Sequence, residues 1–305
     1  MKVAVIGLGV QGAKRVAAAG PDVVATVDAM RPDAQFRSIT AVPLDAYEAA
    51  LVCTPDAAKL EIVSYLLAHD KHVLVEKPLL APEHELEELA GLAKRRAVVC
   101  YTAYNHRFEP HFVRMKALLD AGALGRVYRC RMFYGNGTAR AVRGSWRDRD
   151  AGVLADLGSH LLDTVRFWFG DRPHDFRVVS CRRFENAAFD HVVVASDGEP
   201  SIELEMTLLS HRNHFTCDVL AEAGSAHIES LCKWGPATFI HRRRKLPSGR
   251  PDEEAVTLVE PDPTWRLEYR HFTSLCERGE THASSDVWIN RELARLSAEA
   301  LARHA

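Results

Sequence analysis

A glycine-rich turn near the start of the chain has the spacing of a dinucleotide-binding loop. The motif GLGVQG, residues 7–12, follows the β-branched run Lys2–Ile6 and opens a helix of small residues. Gly7 permits the tight turn, Gly9 lets the backbone approach a pyrophosphate, and Gly12 lets the helix pack closely on the sheet. The first helical turn then offers N–H groups and a positive dipole end to the phosphates.

An acidic residue lies at the expected distance from this turn. Asp28 ends the next predicted strand, 21 residues after Gly7, close to the ~20 expected for the acid that binds the adenosine ribose. A carboxylate there repels a 2′-phosphate, so NAD is favoured over NADP. Arg31 follows shortly and can bind that phosphate, so NADP stays an alternative. The remaining alternatives are a glycine turn without a ligand and a surface role for Asp28.

Two further segments have side chains suited to proton transfer. In HVLVEKP, Lys77 comes just past the carboxyl end of a predicted parallel strand, where ligands bind in open α/β sheets. In GVLADLGSHLLD, Asp156, His160 and Asp163 project from the same face of a predicted helix. A solvated lysine and a structural histidine are the alternatives. Three ligands on one short face do not indicate a metal site, and none is predicted.

The first hundred residues alternate strand and helix signals, which predicts a parallel sheet covered by helices on both faces. The strands end at Gly or Pro, and the helices have apolar residues at helical spacing. The predicted strands are Lys2–Ile6, Val23–Asp28, Leu51–Thr54, His72–Glu76 and Ala97–Tyr101, and the predicted helices are Val10–Ala19, Ala57–His69 and Pro82–Arg95.

After about residue 103 longer alternating runs appear, with few helices between them, and they predict a mainly antiparallel sheet. A polar stretch over residues 242–254 predicts a surface loop. The sequence therefore predicts two domains, 1–103 and 104–305. In the second, the predicted strands are Val127–Tyr134, Phe176–Arg183, His191–Ala195, Ile202–Leu209 and Phe215–Glu222, and the predicted helices are Glu109–Ala121, Val153–Phe169 and Ser285–His304.

Composition limits the possible partners and compartment. The 305 residues are 47% hydrophobic and 26% charged with a formal net charge of -2, so we expect a globular protein without nucleic acid or anionic membrane as partner. The basic run at 241–245 is one isolated segment. No apolar run approaches the ~20 residues of a membrane span, and the start has no signal-peptide pattern. Seven scattered cysteines predict reduced thiols and a cytoplasmic location.

These segments together resemble the Gfo/Idh/MocA oxidoreductases, the family of glucose–fructose oxidoreductase and the inositol dehydrogenases. The resemblance runs through GLGVQG, Cys53-Thr-Pro55, HVLVEKPL, the run Tyr104–Phe108, Ser145-Trp-Arg147 and GVLADLGSHLLD. It implies a Rossmann domain followed by an α/β domain with a large, open, mainly antiparallel sheet. It also implies that Lys77, Asp156 and His160 are catalytic. Asp56 and Lys59 depart from the family pattern, which often has Asn and His there.

The predicted binding residues follow from the motifs and the resemblance. Arginine forks and an indole suit polyhydroxy compounds or acidic groups, although each arginine can instead pair with an acid and the indole can belong to the core. The predicted cofactor-binding residues are Gly7, Gly9, Val10, Gln11, Gly12, Asp28, Arg31, Thr54, Pro55, Glu76 and Lys77, and the candidates for the substrate pocket are Asn105, Arg107, Trp146 and Arg147.

The predicted chemistry is the oxidation of a secondary alcohol or the reverse reduction. His160 suits the base because imidazole titrates near neutral pH, and Asp156 or Asp163 can accept its other ring N–H. Lys77 can donate to the substrate oxygen. The resemblance implies an NAD(P)-dependent dehydrogenase or reductase of a sugar, cyclitol or related polyol. The alternatives are a hydrolase that oxidises its sugar transiently and a non-catalytic NAD(P)-binding regulator.

A homodimer or homotetramer is also expected. A broad antiparallel sheet often keeps one apolar face that another subunit covers. The strands predicted over Ile202–Leu209 and Phe215–Glu222 are the candidates for that face.

Overall fold

A computed structural model describes residues 1–149, 152–172, 174–280 and 284–303; the side chains of Trp146 and of residues 284–286 lie outside the described part. The chain forms two compact units. The first comprises Met1–Asn105 and Pro263–Arg291, and the second comprises His106–Asp262 and Glu292–Ala305. The sequence predicted a single division near residue 103, whereas the structure includes a late segment in the first unit.

The described residues form the following regular elements. The helices are α1 Val10–Ala19, α2 Asp56–Ala68, α3 Glu83–Arg96, α4 Pro110–Asp120, α5 Ser159–Phe169, α6 Thr264–Arg278 and α7 Ser284–Ala302. The strands are β1 Val3–Ile6, β2 Val23–Val27, β3 Ala49–Val52, β4 His72–Glu76, β5 Cys100–Ala103, β6 Val127–Gly135, β7 Arg177–Arg182, β8 His191–Ser196, β9 Ser201–Thr207, β10 His214–Ala221, β11 Gly224–Glu229, β12 Ala237–Lys245 and β13 Gly249–Leu258.

The first unit contains the predicted doubly wound parallel sheet. Its strand order is β2-β1-β3-β4-β5, and the pairs are parallel. Ile6 lies opposite Val27 on one side and Val52 on the other. The carboxyl ends of these three strands therefore meet at one edge, and each is followed by residues predicted to bind the cofactor.

Helices cover both faces of this sheet because its strands are apolar on both sides. Ala4 and Ile6 belong to a core that includes side chains of α2 and α3. Val3 and Val5 belong to a second core with Phe272 of α6. Helix α6, which no sequence pattern predicted, completes the layer beside α1.

The second unit contains the predicted large, mainly antiparallel sheet. Its order is β13-β12-β11-β10-β6-β9-β8-β7, with β6 and β9 parallel and the other pairs antiparallel. Phe112 of α4 lies 5.0 Å from both the Trp168 ring of α5 and the Phe215 ring of β10. The two helices thus pack on the inner face of the sheet.

The predicted surface loop over residues 242–254 is wrong, because most of it belongs to the hairpin of β12 and β13. Charged residues on the two strands pair across the ladder, as for Arg242 with Glu253 at 2.7 Å and Lys245 with Asp252 at 2.7 Å. Such cross-strand pairs stabilise a hairpin that has few apolar side chains.

The expected apolar outer face on β9 and β10 is also wrong. The apolar residues of β9 point inward, and the outer face of β6 and β9 carries charged side chains. Arg129 lies 3.2 Å from Glu203, and Arg131 lies 3.1 Å from Glu205. Apolar and polar side chains alternate along each strand, which gives the sheet one apolar face. The helices of this unit cover that face.

Two expectations about the chain as a whole can be compared with the structure. All seven cysteines are free thiols, as predicted from their scattered positions. Among the described residues, no helix combines the length and the apolar character that crossing a bilayer requires.

Candidate functional site

The glycine turn after β1 has the predicted geometry. Gly7 adopts φ +87°, a conformation that favours glycine, and a Cβ there would lie 2.7 Å from the carbonyl oxygen of Cys53. A Cβ on Gly12 would lie 1.8 Å from the carbonyl oxygen of Gly7. Both positions therefore exclude side chains through contacts within the first unit, and they bring the start of α1 close to β1 and β3.

Gly9 has no such packing requirement. Its φ of -70° suits any residue, and a Cβ there would meet no described atom within 4 Å. The open space lies at the N-terminus of α1, where first-turn N–H groups point outward. Val10 beside it is 76% exposed, and Gln11 is also exposed. The turn therefore fits the pyrophosphate of a dinucleotide, which needs close approach to the backbone.

A second observation supports a dinucleotide at this edge. Thr54 follows β3, and its hydroxyl oxygen is buried without a hydrogen-bond partner among the described residues. Buried hydroxyls are normally hydrogen-bonded, so a bound cofactor is a suitable partner. Pro55 comes next and directly precedes α2.

Asp28, directly after β2, is oriented toward the glycine turn. Its carboxylate accepts the N–H of Leu8 at 2.7 Å and the N–H groups of Met30 and Arg31 at 2.9 and 3.0 Å. The hydrogen bond from Leu8 is the largest cause that lowers the pKa of Asp28, so this carboxylate is charged at neutral pH. Arg31 instead donates two hydrogen bonds to Asp33, at 2.9 and 2.7 Å.

Glu76, the last residue of β4, belongs to a buried charge network. Arg15 of α1 donates to Glu76 at 2.6 Å and to Glu268 of α6 at 2.6 Å. The network fixes the end of β4 immediately before Lys77, which is half-buried. A contact between Glu76 and the cofactor remains a prediction.

The two residues that depart from the family pattern form a pair under the Lys77 loop. Lys59 donates to the carbonyl oxygen of Pro78 at 2.8 Å and lies 2.7 Å from the Asp56 carboxylate. Burial lowers the pKa of Lys59, and Asp56 opposes this effect. The pair therefore ties α2 to the residue that follows Lys77.

Asn105, a candidate for the substrate pocket, is engaged within the first unit. Its side-chain amide donates to the Thr264 hydroxyl at 2.9 Å, and Asn105 is buried. The hydrogen bond connects the end of the Rossmann segment to the start of α6.

In the second unit a π-helical turn, Leu154–Gly158, precedes α5 and carries Asp156. Gly152, at φ +53°, enters this turn, and a Cβ there would lie 2.4 Å from the carbonyl oxygen of Phe189. The helix predicted over this region is therefore not regular throughout. Turns of this kind are frequent at functional sites, and here Asp156 and His160 are both buried.

The aspartates on either side of His160 pair with arginines that were predicted to line the substrate pocket. Arg107 donates to Asp163 through Nε at 2.9 Å and Nη2 at 2.5 Å. Arg147 Nε lies 3.2 Å from Asp156 Oδ2. Both aspartates are thus engaged with arginines, and the support of His160 by Asp156 remains a prediction. The Trp146 side chain lies outside the described part.

The surroundings of His160 include residues that the sequence analysis did not select. The His160 ring stacks on His106, with centroids 4.0 Å apart and an interplanar angle of 15°. Tyr134 lies 5.4 Å from the His106 ring and 6.0 Å from the His160 ring. Lys233 Nζ lies 3.2 Å from His106 Nε2. His106 stood in a quoted motif, whereas Lys233 gave no local signal.

A cluster of polar groups surrounds the turn that carries Lys233. Glu109 accepts the Cys232 N–H at 2.6 Å and the Cys232 thiol hydrogen at 3.0 Å. A side-chain oxygen of Glu109, the sulfur of Cys232 and a side-chain oxygen of Asp262 lie within 4.8 Å of one another. Burial raises the pKa of the Cys232 thiol, so the thiol stays protonated and donates to Glu109.

Two sequence profiles match the chain in succession. One, described as the oxidoreductase family with an NAD-binding Rossmann fold, matches residues 1–104. The other, the GFO/IDH/MocA C-terminal domain, matches residues 112–227. The chain belongs to the Gfo/Idh/MocA oxidoreductase family. Its first unit is therefore an NAD(P)-binding Rossmann domain, as the open space at Gly9 indicates.

Relatives include enzymes of sugar and cyclitol chemistry. The chain is 32% identical to the scyllo-inositol 2-dehydrogenase (NADP(+)) of Bacillus subtilis over 46% of this chain and 40% of that protein. It is 30% identical to glucose-6-phosphate 3-dehydrogenase of the same organism over 41% of this chain and 38% of that protein. The matches thus span less than half the length of these relatives.

The fold is similar to solved structures over nearly the whole chain. A levoglucosan dehydrogenase in complex with NADH superposes with a TM-score of 0.84 at 18% identity, covering 99% of this chain and 97% of that one. At this identity the likeness shows the fold alone.

Proposed function

We propose that this protein transfers a hydride between NAD(H) and a secondary alcohol or ketone of a sugar, cyclitol or related polyol. The observation that carries the proposal is the burial of Asp156 on the π-helical turn and of His160 at the start of α5. A non-catalytic dinucleotide-binding protein needs no buried base there. The Rossmann unit supplies the matching cofactor site.

In the proposed reaction the side chains of this chain move the proton. Bound NAD supplies the hydride acceptor. His160 takes the proton of the substrate hydroxyl, and Asp156 stabilises the imidazolium that forms. We further propose that Lys77 donates a hydrogen bond that stabilises developing negative charge on the substrate. In the reductive direction each group reverses its role.

The charges near His160 support a neutral polyol as the substrate. Arg107 and Arg147 are the cations that an acidic substrate would use, but they contact Asp163 and Asp156. Ion pairing reduces the positive field that each arginine can offer to an anion. Hydroxyl groups need only hydrogen bonds, which suits a region in which both of these arginines are already paired.

NAD is proposed as the preferred cofactor. The charged Asp28 disfavours a 2′-phosphate, and the exposed Arg31 is engaged with Asp33. Such an exposed pair is weak, so Arg31 can release Asp33 and contact a 2′-phosphate once the charge of Asp28 is removed.

A homodimer or homotetramer remains part of the proposal. The outer face of β6 and β9 carries charged side chains, so an interface formed there would be polar and would weaken as salt is added. Light scattering at two salt concentrations measures this, and a monomer at micromolar concentration in low salt would contradict it.

A substrate screen tests the proposed function. The protein is incubated with NAD⁺ or NADP⁺ and a panel of inositols, aldoses, sugar phosphates and anhydrosugars, and reduced cofactor is followed by absorbance. We expect net reduction of NAD⁺ with a neutral polyol. Glycoside cleavage without net reduction, or cofactor binding without any reaction across the panel, would contradict the proposal. The Gly9→Val variant serves as the cofactor-free control.

A further inference from the structure

The contact between Lys233 and His106 restricts which of the two can carry a positive charge. An ammonium group has no lone pair to accept a hydrogen bond, so the charged Lys233 must donate to His106 Nε2 at 3.2 Å. An imidazolium bears hydrogens on both ring nitrogens and cannot accept that hydrogen bond. When Lys233 is charged, His106 is therefore neutral and carries its proton on Nδ1.

Acidic groups around the turn favour the charge on Lys233. Burial lowers the pKa of Lys233, while Asp262 and Glu109 oppose this effect. Glu109 is held in place by two hydrogen bonds from Cys232. Asp262 opposes the burial effect most strongly, whereas burial raises the pKa of Glu109 itself. The ammonium form of Lys233 donates its hydrogen bond and leaves His106 as the acceptor.

Because the two rings are stacked, the neutral state of His106 also affects His160. The ring hydrogens of both histidines lie in the ring planes, so two rings 4.0 Å apart at 15° cannot hydrogen-bond to each other. They interact through their faces. An imidazolium on His160 is attracted to a neutral aromatic face, whereas two stacked imidazoliums repel each other.

We propose that Lys233 and His106 are positioning residues for His160. Lys233 holds His106 neutral in the Nδ1–H form, and the neutral ring orients His160 and allows it to accept the substrate proton. This inference rests on the proposed function for its catalytic meaning. The protonation state of His106 can be measured without a substrate.

Other charged and titratable groups also face the two histidines or Lys233, and they stay unchanged in the variants below. They come from the helix of His160, from the segments packed against it and from the Lys233 turn. These groups are Asp156, Asp163, Arg107, Arg147, Tyr134, Glu109, Cys232 and Asp262.

The test is a titration of the whole protein with ¹⁵N-labelled histidine, followed by NMR between about pH 5 and 9, where imidazole ordinarily titrates. His106→Asn and His160→Gln assign the two rings. In the wild type we expect a neutral His106 with its proton on Nδ1. In Lys233→Met we expect the apparent pKa of the first protonation step of the His106–His160 pair to rise by about one unit, because a nearby cation is lost.

Further variants separate the effect of the Lys233 charge from structural effects of the substitution. Lys233→Gln keeps a hydrogen-bond donor without the charge and should behave as Lys233→Met, which also covers a failure of the methionine variant to fold. Lys233→Arg keeps the charge and should restore the wild-type titration. Lys116→Met removes an equal charge from an ion pair with Asp120 on α4 and should leave the stacked pair unchanged.

Activity gives the second readout, with the polyol found in the screen. The acid limb of kcat/KM for oxidation should move to higher pH in Lys233→Met and Lys233→Gln, in parallel with the NMR titration. His106 protonated on Nε2 in the wild type, or equal titrations in the wild type and Lys233→Met, would overturn the inference. The expected titrations without oxidation of any polyol would instead refute the proposed function.

Discussion

The cofactor turn of the first unit and the His160 region of the second unit are built in different ways. In the turn, consecutive residues act through their backbone groups. Access for the cofactor depends on positions that have no side chain, such as Gly9. Around His160, side chains from distant segments work through paired charges and stacked rings, as for Arg107 with Asp163 and His106 with His160.

This difference predicts how each region responds to substitution. A side chain added to the turn should affect the ligand where space is open and the fold where space is filled. A side chain removed near His160 should leave a partner unpaired, so that stability and chemistry change together.

The largest expected effect on stability comes from Asp163→Asn. The carboxylate is 1% exposed and pairs with an arginine that is 30% exposed, and breaking a buried pair from one side costs about 3 kcal/mol. Denaturant unfolding measures the loss. Arg107→Met with Asp163→Leu should recover part of it, because no charge is left unpaired. Equal stability of the wild type and Asp163→Asn would show that the pair does not support this region.

The next effect separates ligand clearance from packing in the glycine turn. Gly9→Val should fold normally and raise the Kd for NAD about a hundredfold, or about 2.7 kcal/mol, because its side chain fills the space for the pyrophosphate. Gly12→Ala should lower the melting temperature instead, because its Cβ would meet the Gly7 carbonyl. Calorimetry and thermal melts measure both. Normal NAD affinity in folded Gly9→Val would remove this turn from the cofactor site.

A smaller effect tests the pair under the Lys77 loop. Lys59→Met leaves the buried Pro78 carbonyl without its donor, which costs about 2 kcal/mol of stability. It should lower kcat more than it raises the Kd for NAD, because the loop orients Lys77. Lys59→Arg, which keeps the donor, is the control. A rise in Kd with unchanged kcat would assign Lys59 to the cofactor instead.

The smallest effect concerns cofactor choice. Asp28→Ser removes the charge that repels a 2′-phosphate, and the ratio of kcat/KM for NADP to that for NAD should rise about tenfold, or about 1.4 kcal/mol. Asp33→Asn added to it should raise the ratio further, because Arg31 then lacks its carboxylate partner. A wild type that already prefers NADP would refute this interpretation of Asp28.

The same difference between the two regions explains which features of the fold and the site could be predicted from the sequence. The glycine turn, the position of Asp28 after β2 and the parallel sheet depend on short-range spacing, and the structure shows this geometry as predicted. The hairpin of β12 and β13 was missed because its stability comes from cross-strand charge pairs rather than apolar alternation. Helix α6 was missed although Tyr269, Phe272 and Leu275 lie on its buried side.

The site of the second unit was predicted only in part for the same reason. Asp156 and His160 are close in sequence, so their shared location could be predicted, whereas their catalytic role stays a prediction. Lys233 lies 127 residues from His106, and no local pattern indicates that contact. The arginines were predicted as substrate ligands because their aspartate partners could not be assigned before the fold was known.

The most direct test of the account compares cofactor binding with turnover in Lys77→Ala and His160→Ala. Each folded variant is titrated with NAD and assayed at steady state with the polyol that the wild type oxidises. We expect NAD affinity close to that of the wild type and a loss of turnover of ~10²–10⁴-fold in each variant, as for a missing proton-transfer group. Turnover near the wild-type rate in both variants would contradict the account and leave a protein that binds the dinucleotide without using these residues.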